Sequence, residues 1–349
     1  MNATKEQLFL DIRAAEERLN TRFANSLELN YSLDRTLVSY QANKSENGHR
    51  WYKYKEAFSA SLVRYVLSEL DLKAGRILDP FAGSGTTLFT ASDLGIDSVG
   101  IDLLPNSVNA IEIRKILRRV GAGPMAAAIR RLKDSHVWKT PGDTKAFPHL
   151  RITAGAFPEH NEAELGRYLS EVDRISDDDL RRVALFAAMS VLESISFTRQ
   201  DGQYLRWDDR SGRRVGKKPF CKGPIIDFTE AITAKLEQIA SDISHDGRLL
   251  VEDLPAEHYG GIDLLNGSCL DILPNLGAGT FDGLITSPPY CNRYDYTRPY
   301  ALELAMLGVN ETQIRFFRQA MLSCTVENRE KDGLLARGQE ARFKRALAA

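Results

Sequence analysis

Apolar positions recur with a helical period near the start of the chain, where Leu8, Ile12, Ala15 and Leu19 predict an amphipathic helix within residues 1–30. The stretch SYQANKSENGHRWYKYKEAF, at 39–58, is polar and aromatic without a period, and reads as a loop over the surface. Helical spacing returns in SASLVRYVLSELDL through Leu62, Tyr65, Val66 and Leu70, with Ser59 or Ser61 placed to cap it. The clearest organisation lies at 75–103. An apolar run at 76–78 ends at Asp79, a glycine-rich turn follows, 86–94 has helical character, and a second apolar run at 98–101 ends at Asp102. A strand–helix–strand unit of this length implies parallel strands joined by a right-handed crossover.

From about 106 to 260 the pattern changes. NSVNAIEIRKILRRV and DDDLRRVALFAAMSVLESISF have helical period, whereas the residues between them and the 199–224 segment show none. This region reads as a mainly helical insertion between the second and third strands of one sheet. Strand signals return at 261–265 and 281–286, followed by the helical segments LELAML and ETQIRFFRQAML and a charged tail. The expected fold class is therefore α/β.

Composition narrows the function classes. With 349 residues, 43% hydrophobic and 27% charged, the chain can bury a sizeable core. A formal net charge of −1 excludes a polycation, so any nucleic-acid surface must be a local patch. Cys221, Cys269, Cys291 and Cys324 lie far apart and the six histidines show no ligand spacing, which argues against a metal site. His49 reads as a surface residue. No apolar run approaches the roughly 20 residues of a membrane span, and the N-terminus lacks a signal-peptide core, so the expected location is the cytoplasm.

Two turns carry candidate chemistry. In DPFAGSGTT, Asp79 ends a strand at the carboxyl edge of the sheet, where open α/β folds bind ligands. Pro80 and Phe81 lead into Gly83 and Gly85, which can take positive φ and let a ligand approach, and Thr86 and Thr87 begin the helix. The spacing matches neither the dinucleotide nor the phosphate-loop pattern, and a plain tight turn remains open. Asp102, ending the next strand, is placed to accept hydrogen bonds from ribose hydroxyls. The two acids together favour an adenosine-containing ligand.

The second turn is Ser287-Pro288-Pro289-Tyr290, which leaves a buried strand directly. Adjacent prolines fix φ and remove two donors, so carbonyls stay available as acceptors. An exocyclic base amino group offers two N–H donors, which the Ser287 hydroxyl and the Pro288 carbonyl can accept, while Tyr290 stacks on a base swung out of the duplex. A Pro-Pro turn that merely closes a strand is the alternative. A third candidate is the basic segment RWDDRSGRRVGKKPFCK at 206–222, whose glycines suggest a mobile loop. Its Arg206, Arg213, Arg214, Lys217 and Lys218, interleaved with Trp207 and Phe220, suit phosphate neutralisation with stacking, and an ordinary solvated loop is the equal alternative.

Taken together, 79–87 and 287–290 resemble the cofactor and catalytic motifs of the DNA amino-methyltransferases, which methylate N4 of cytosine or N6 of adenine. The resemblance covers about 45–115 and 261–328. It implies a Rossmann-like fold that uses S-adenosylmethionine, with Asp79, Pro80, Phe81, Gly83, Gly85, Thr86, Thr87 and Asp102 at the cofactor and Ser287, Pro288, Pro289 and Tyr290 at the flipped base. Phe58, in the segment before the cofactor strand, is a further cofactor contact by the same resemblance. Serine at 287 leans toward N4 of cytosine. Where the family often has Gly-Asp after the third strand, this chain has Asn266-Gly267-Ser268, which leaves Ser268 as the weaker cofactor contact.

The implied organisation is a helical segment at 1–45, a cofactor half at 46–110, an insertion for target recognition at 111–260, a catalytic half at 261–328 and a charged tail at 329–349. The implied partners are double-stranded DNA and the cognate endonuclease of a restriction-modification system. Only 59 residues follow Tyr290 and they show no strand, so the late strands of the fold are expected to be missing. The chain then reads as a fragment, half of a split enzyme with a complementary C-terminal fragment, or a degenerate copy. The competing readings are an N6-adenine DNA enzyme, an RNA base methyltransferase, and an inactive copy that only binds DNA or cofactor.

Overall fold

The computed structural model describes residues 5–26, 30–55, 57–120, 122–202, 204–213, 219–244, 259–290 and 295–322. Its elements in chain order are α1 (Lys5–Phe23), α2 (Ala60–Glu69), β1 (Arg76–Asp79), α3 (Thr86–Asp93), β2 (Asp97–Asp102), α4 (Pro105–Arg119), α5 (Ala122–Ser135), α6 (Glu159–Asp173), α7 (Asp178–Ile195), β3 (Thr198–Asp201), β4 (Tyr204–Trp207), α8 (Phe228–Ser244), β5 (Ile262–Asn266), α9 (Cys269–Ile272), β6 (Gly283–Leu284), α10 (Ala301–Met306) and α11 (Glu311–Ala320). Among the described residues no helix is long and apolar enough to cross a membrane.

The four strands β5-β2-β1-β6 form one sheet, parallel throughout, in the Rossmann-like manner. Chain order runs outward from β1 through β2 to β5 and then returns to the other side of β1 for β6. That reversal makes the β1/β6 boundary the topological switch point, where a crevice opens at the carboxyl ends. Side chains alternate across the sheet as the pleat requires. Ile77 packs with Val63, Leu67 and Ala91 on the α2/α3 side, while Leu78, Val99 and Ile101 meet Cys269 on the α9 side. Strand β6 is short, but Ile285 N–H still donates to Leu78 O at 3.1 Å, so the ladder runs to the edge of the Ser-Pro-Pro turn.

The insertion between β2 and β5 holds the largest apolar cluster, which includes Ile113, Leu165, Tyr168, Phe186, Leu192 and Ile232. Two of its helices, α5 and α6, fall where no period is expected. Their inward faces are apolar at helical spacing, with Met125 and Ile129 on α5 and Leu165, Leu169 and Val172 on α6, so these two helices correct the expectation of no period. The expected amphipathic helix forms as α1, yet Ile12 and Leu19 remain more than half exposed.

The stretch expected as a surface loop is a correction. Trp51, Tyr52 and Tyr54 are buried and belong to the helical cluster. The polar residues that suggested solvent act instead as internal staples. Asp242 on α8 accepts from Arg50 Nε at 2.9 Å and from the Trp51 indole at 2.7 Å. Asn43, fully buried, donates to Phe58 O and accepts from Ala60 N–H, both at 2.9 Å. Such bonds satisfy an irregular backbone away from water. At the start of the 199–224 segment, where no helical period is expected, the chain forms the antiparallel hairpin β3–β4 over 198–207.

Asp242→Ala is expected to leave the indole N–H and the Arg50 guanidinium without their acceptor. The expected cost is about 1–3 kcal/mol, the range for leaving one buried group unsatisfied, and it will be read as a lower thermal unfolding midpoint.

Candidate functional site

At the switch point Thr286 Oγ1 donates to Asp79 Oδ1 at 2.7 Å, tying the exit of β6 to the exit of β1. The same oxygen accepts from Phe81 N–H at 3.1 Å, which bends the chain into the glycine turn. Asp102 closes the turn from the other side, its carboxylate accepting from Gly83 N–H at 2.8 Å and Leu104 N–H at 2.9 Å. The two glycines have left-handed backbones, with φ of 54° at Gly83 and 80° at Gly85. Their missing side chains make room for protein: a Cβ on Gly83 would lie 2.9 Å from the Tyr54 ring, and one on Gly85 would lie 2.9 Å from Ile111.

Beneath the turn sits a fully buried cation. Arg114 stacks 3.7 Å over the Phe89 ring, donates to Ser84 O at 3.3 Å, and lies 3.1 Å from His49 Nε2. Burial holds His49 well below the usual histidine range, with Arg114 adding to the effect, so a neutral ring accepts from the guanidinium. His49 is therefore a buried structural residue and not the surface histidine expected from its polar neighbours.

The turn, β2, the Ser268 cap and the Ser-Pro-Pro-Tyr segment line one open cavity. Asp79, Pro80, Phe81, Gly83 and Thr86 line one wall, with Phe58 beside them. Asp102 and Ser268 stand at the β2/β5 side, and Ser287, Pro289 and Tyr290 at the β6 side. Gly85, Thr87 and Pro288 are adjacent in sequence but do not line it. Thr87 Oγ1 reaches back to Ile285 O at 3.4 Å, and Pro288 is exposed. The Ser268 hydroxyl caps α9 and donates to Ala320 O at 2.7 Å.

Several wall residues carry no recognisable motif. Tyr54 comes from the aromatic stretch, whose buried register the sequence does not reveal. Tyr296, whose hydroxyl accepts from Tyr290 N–H at 3.3 Å, and Met321, at the end of α11, come from distant segments. Thr86 Oγ1 is buried and has no hydrogen-bond partner. An orphaned hydroxyl in the wall of a cavity that two strand-end carboxylates also line is a fit for a polar cofactor carrying hydroxyl and amino groups.

The basic segment divides. Arg206 pairs with Asp201 at 2.9 Å and stacks over Phe220. Arg213 stacks over Trp207 and donates to Ile152 O at 3.1 Å. Arg214, Lys217 and Lys218 lie outside the described residues, as does Cys291.

Burial pushes both strand-end acids up to about 6, with hydrogen bonds at each only partly offsetting the desolvation. A carboxyl whose pKa rises on folding favours the native state at low pH, and that contribution is lost as pH climbs through the folded value. Relative to Asp79→Asn, the unaltered chain should therefore lose stability between pH 4 and pH 7, measured as the difference in unfolding midpoints across that range.

Residues 10–112 match a family described as DNA methylase. Over 336 residues the chain is 47% identical to the Type II methyltransferases M.AvaI of Nostoc sp. and of Anabaena variabilis, a match covering 95% of this chain and 68% of each relative. It is 42% identical over 330 residues to the Type II methyltransferase M.BsoBI of Geobacillus stearothermophilus, covering 90% of this chain and 63% of that protein. No solved structure matches.

Proposed function

Because the chain belongs to the amino-specific DNA methylases, which use S-adenosylmethionine, we propose that it methylates the exocyclic amino group of a base flipped out of duplex DNA, at N4 of cytosine. The observation that carries this reading is the Thr286–Asp79 bond, which brings the Ser-Pro-Pro-Tyr turn to the rim of the cavity built by the glycine turn.

When bound, the cofactor supplies an electrophilic methyl group on a positively charged sulfur. Asp102 accepts from ribose hydroxyls, and the orphaned Thr86 hydroxyl offers a further polar contact in the same wall. Asp79 keeps a carboxylate in the cavity near the cationic centre. The Ser287 hydroxyl and the Pro288 carbonyl accept the two N–H bonds of the target amino group, which raises electron density on its nitrogen. Tyr290, half exposed at the mouth, stacks on the base and holds it in line. No general base needs to precede the attack, since after methyl transfer the amino proton would pass to solvent at the open mouth of the cavity.

Ser287, rather than an acid or amide, at the head of the turn supports cytosine over adenine. The helical insertion is assigned target recognition, with Arg206 and Arg213 as contacts to the duplex. The names of the relatives support a place in a restriction-modification system, with a cognate endonuclease as the functional counterpart.

Incubation with mixed-sequence duplex DNA and labelled cofactor, followed by digestion to nucleosides and mass spectrometry, should yield N4-methyldeoxycytidine. N6-methyldeoxyadenosine would overturn the base assignment, and label in transcripts but not duplex would overturn the substrate. Ser287→Ala should lower kcat by about 10–100-fold, the cost of one acceptor used in the transition state, with cofactor affinity nearly unchanged.

A further inference from the structure

The β3–β4 hairpin has one buried face and one face turned outward. Thr198, Gln200, Leu205 and Trp207 point inward, while Arg199, Tyr204 and Arg206 point to solvent. The buried face is pinned to the catalytic region twice. Lys55, next to the cavity-lining Tyr54, donates from Nζ to Gln200 O at 2.9 Å. Gln200 Nε2 donates to the buried Glu303 on α10 at 3.0 Å. On the outer side the guanidinium of Arg298 lies 6.0 Å over the Tyr204 ring. Arg298 is two residues from Tyr296, whose hydroxyl holds the Tyr290 backbone at the mouth of the cavity. Arg298 thus links the ribbon to the segment that carries Tyr296.

Its outer face gathers positive charge. Arg199 and Arg206 stand directly opposite each other in the antiparallel register, a placement in which like charges repel. Asp201 compensates Arg206, but Arg199 makes no ion pair among the described residues. Tyr204 is 60% exposed although its aromatic ring would gain from burial. A pair of facing cations beside an exposed aromatic complements a phosphate backbone with an unstacked nucleotide.

We propose that this hairpin is a DNA-docking ribbon, in which Arg199 and Arg206 contact phosphates flanking the target and Tyr204 packs against the nucleotide next to the flipped base. The proposal rests on duplex DNA being the substrate. A two-stranded ribbon is narrow enough to lie along a groove, and Arg206 is pre-ordered by its stack on Phe220, 4.0 Å away, so little side-chain freedom is lost on docking.

The test uses the full chain and a 30-base-pair duplex of mixed sequence, with affinity measured across a series of salt concentrations. Arg199→Ala with Arg206→Ala should weaken binding at least tenfold at low salt. It should also flatten the plot of log affinity against log salt by about 0.9 for each arginine. Tyr204→Ala should lower the rate of DNA methylation without changing the salt slope. S-adenosylmethionine affinity should stay unchanged in all three substitutions, since none lies in the cavity. As a charge-matched control, Arg131→Ala with Lys139→Ala, both exposed in the helical region, should keep the wild-type slope. If the unaltered chain methylates the duplex and the arginine double variant keeps its slope and affinity, the docking role is wrong while the function stands. If the unaltered chain binds its cofactor but neither binds nor methylates duplex DNA, the function and the docking role both fall.

Discussion

The site depends on one hydrogen bond between neighbouring strand ends, from the Thr286 hydroxyl to the Asp79 carboxylate. Asp79 and Thr286 are separated by more than two hundred residues and by the entire helical insertion. Parallel pairing of β1 with β6 brings them side by side, and the switch in chain direction at that boundary leaves a crevice above them. Because the Asp79 oxygen also holds Phe81 N–H, the contact that sets the Ser-Pro-Pro turn also sets the glycine turn. Displacing one displaces the other.

Around that bond the molecule spends buried polar groups freely. Burial pushes the Asp79 and Asp102 carboxyls up to about 6, and Arg114 lies buried under the glycine turn against neutral His49, a carbonyl and an aromatic face, with the Asp93 carboxylate in electrostatic reach. Each costs folding free energy, and each fixes a backbone segment that lines or supports the cavity. The helical insertion serves the same end, since its core absorbs Trp51, Tyr52 and Tyr54, so the cavity wall and the insertion share packing.

How much of this can be read from sequence depends on what each segment buries. The β1–α3–β2 unit and the Ser-Pro-Pro-Tyr turn are legible because local chemistry dictates them: short apolar runs, glycines at positive φ, and prolines that must end a strand. The stretch 40–58 is illegible because polar side chains, Asn43 and Arg50 among them, make its internal bonds. The hairpin escapes notice because two of its inward residues, Thr198 and Gln200, are polar and break the period of two. Tyr296 and Met321 reach the cavity only through tertiary packing, for which no local signal exists.

The most direct test of the central claim, that the two strand-end acids and the two turns form one cofactor site, is calorimetric titration of the folded chain with S-adenosylmethionine, comparing wild type with Asp102→Ala and Thr286→Val. The account predicts one site per chain, with affinity reduced at least tenfold by Asp102→Ala and measurably by Thr286→Val, from the far strand. Binding that is absent from the folded wild type, or indifferent to both substitutions, would contradict it.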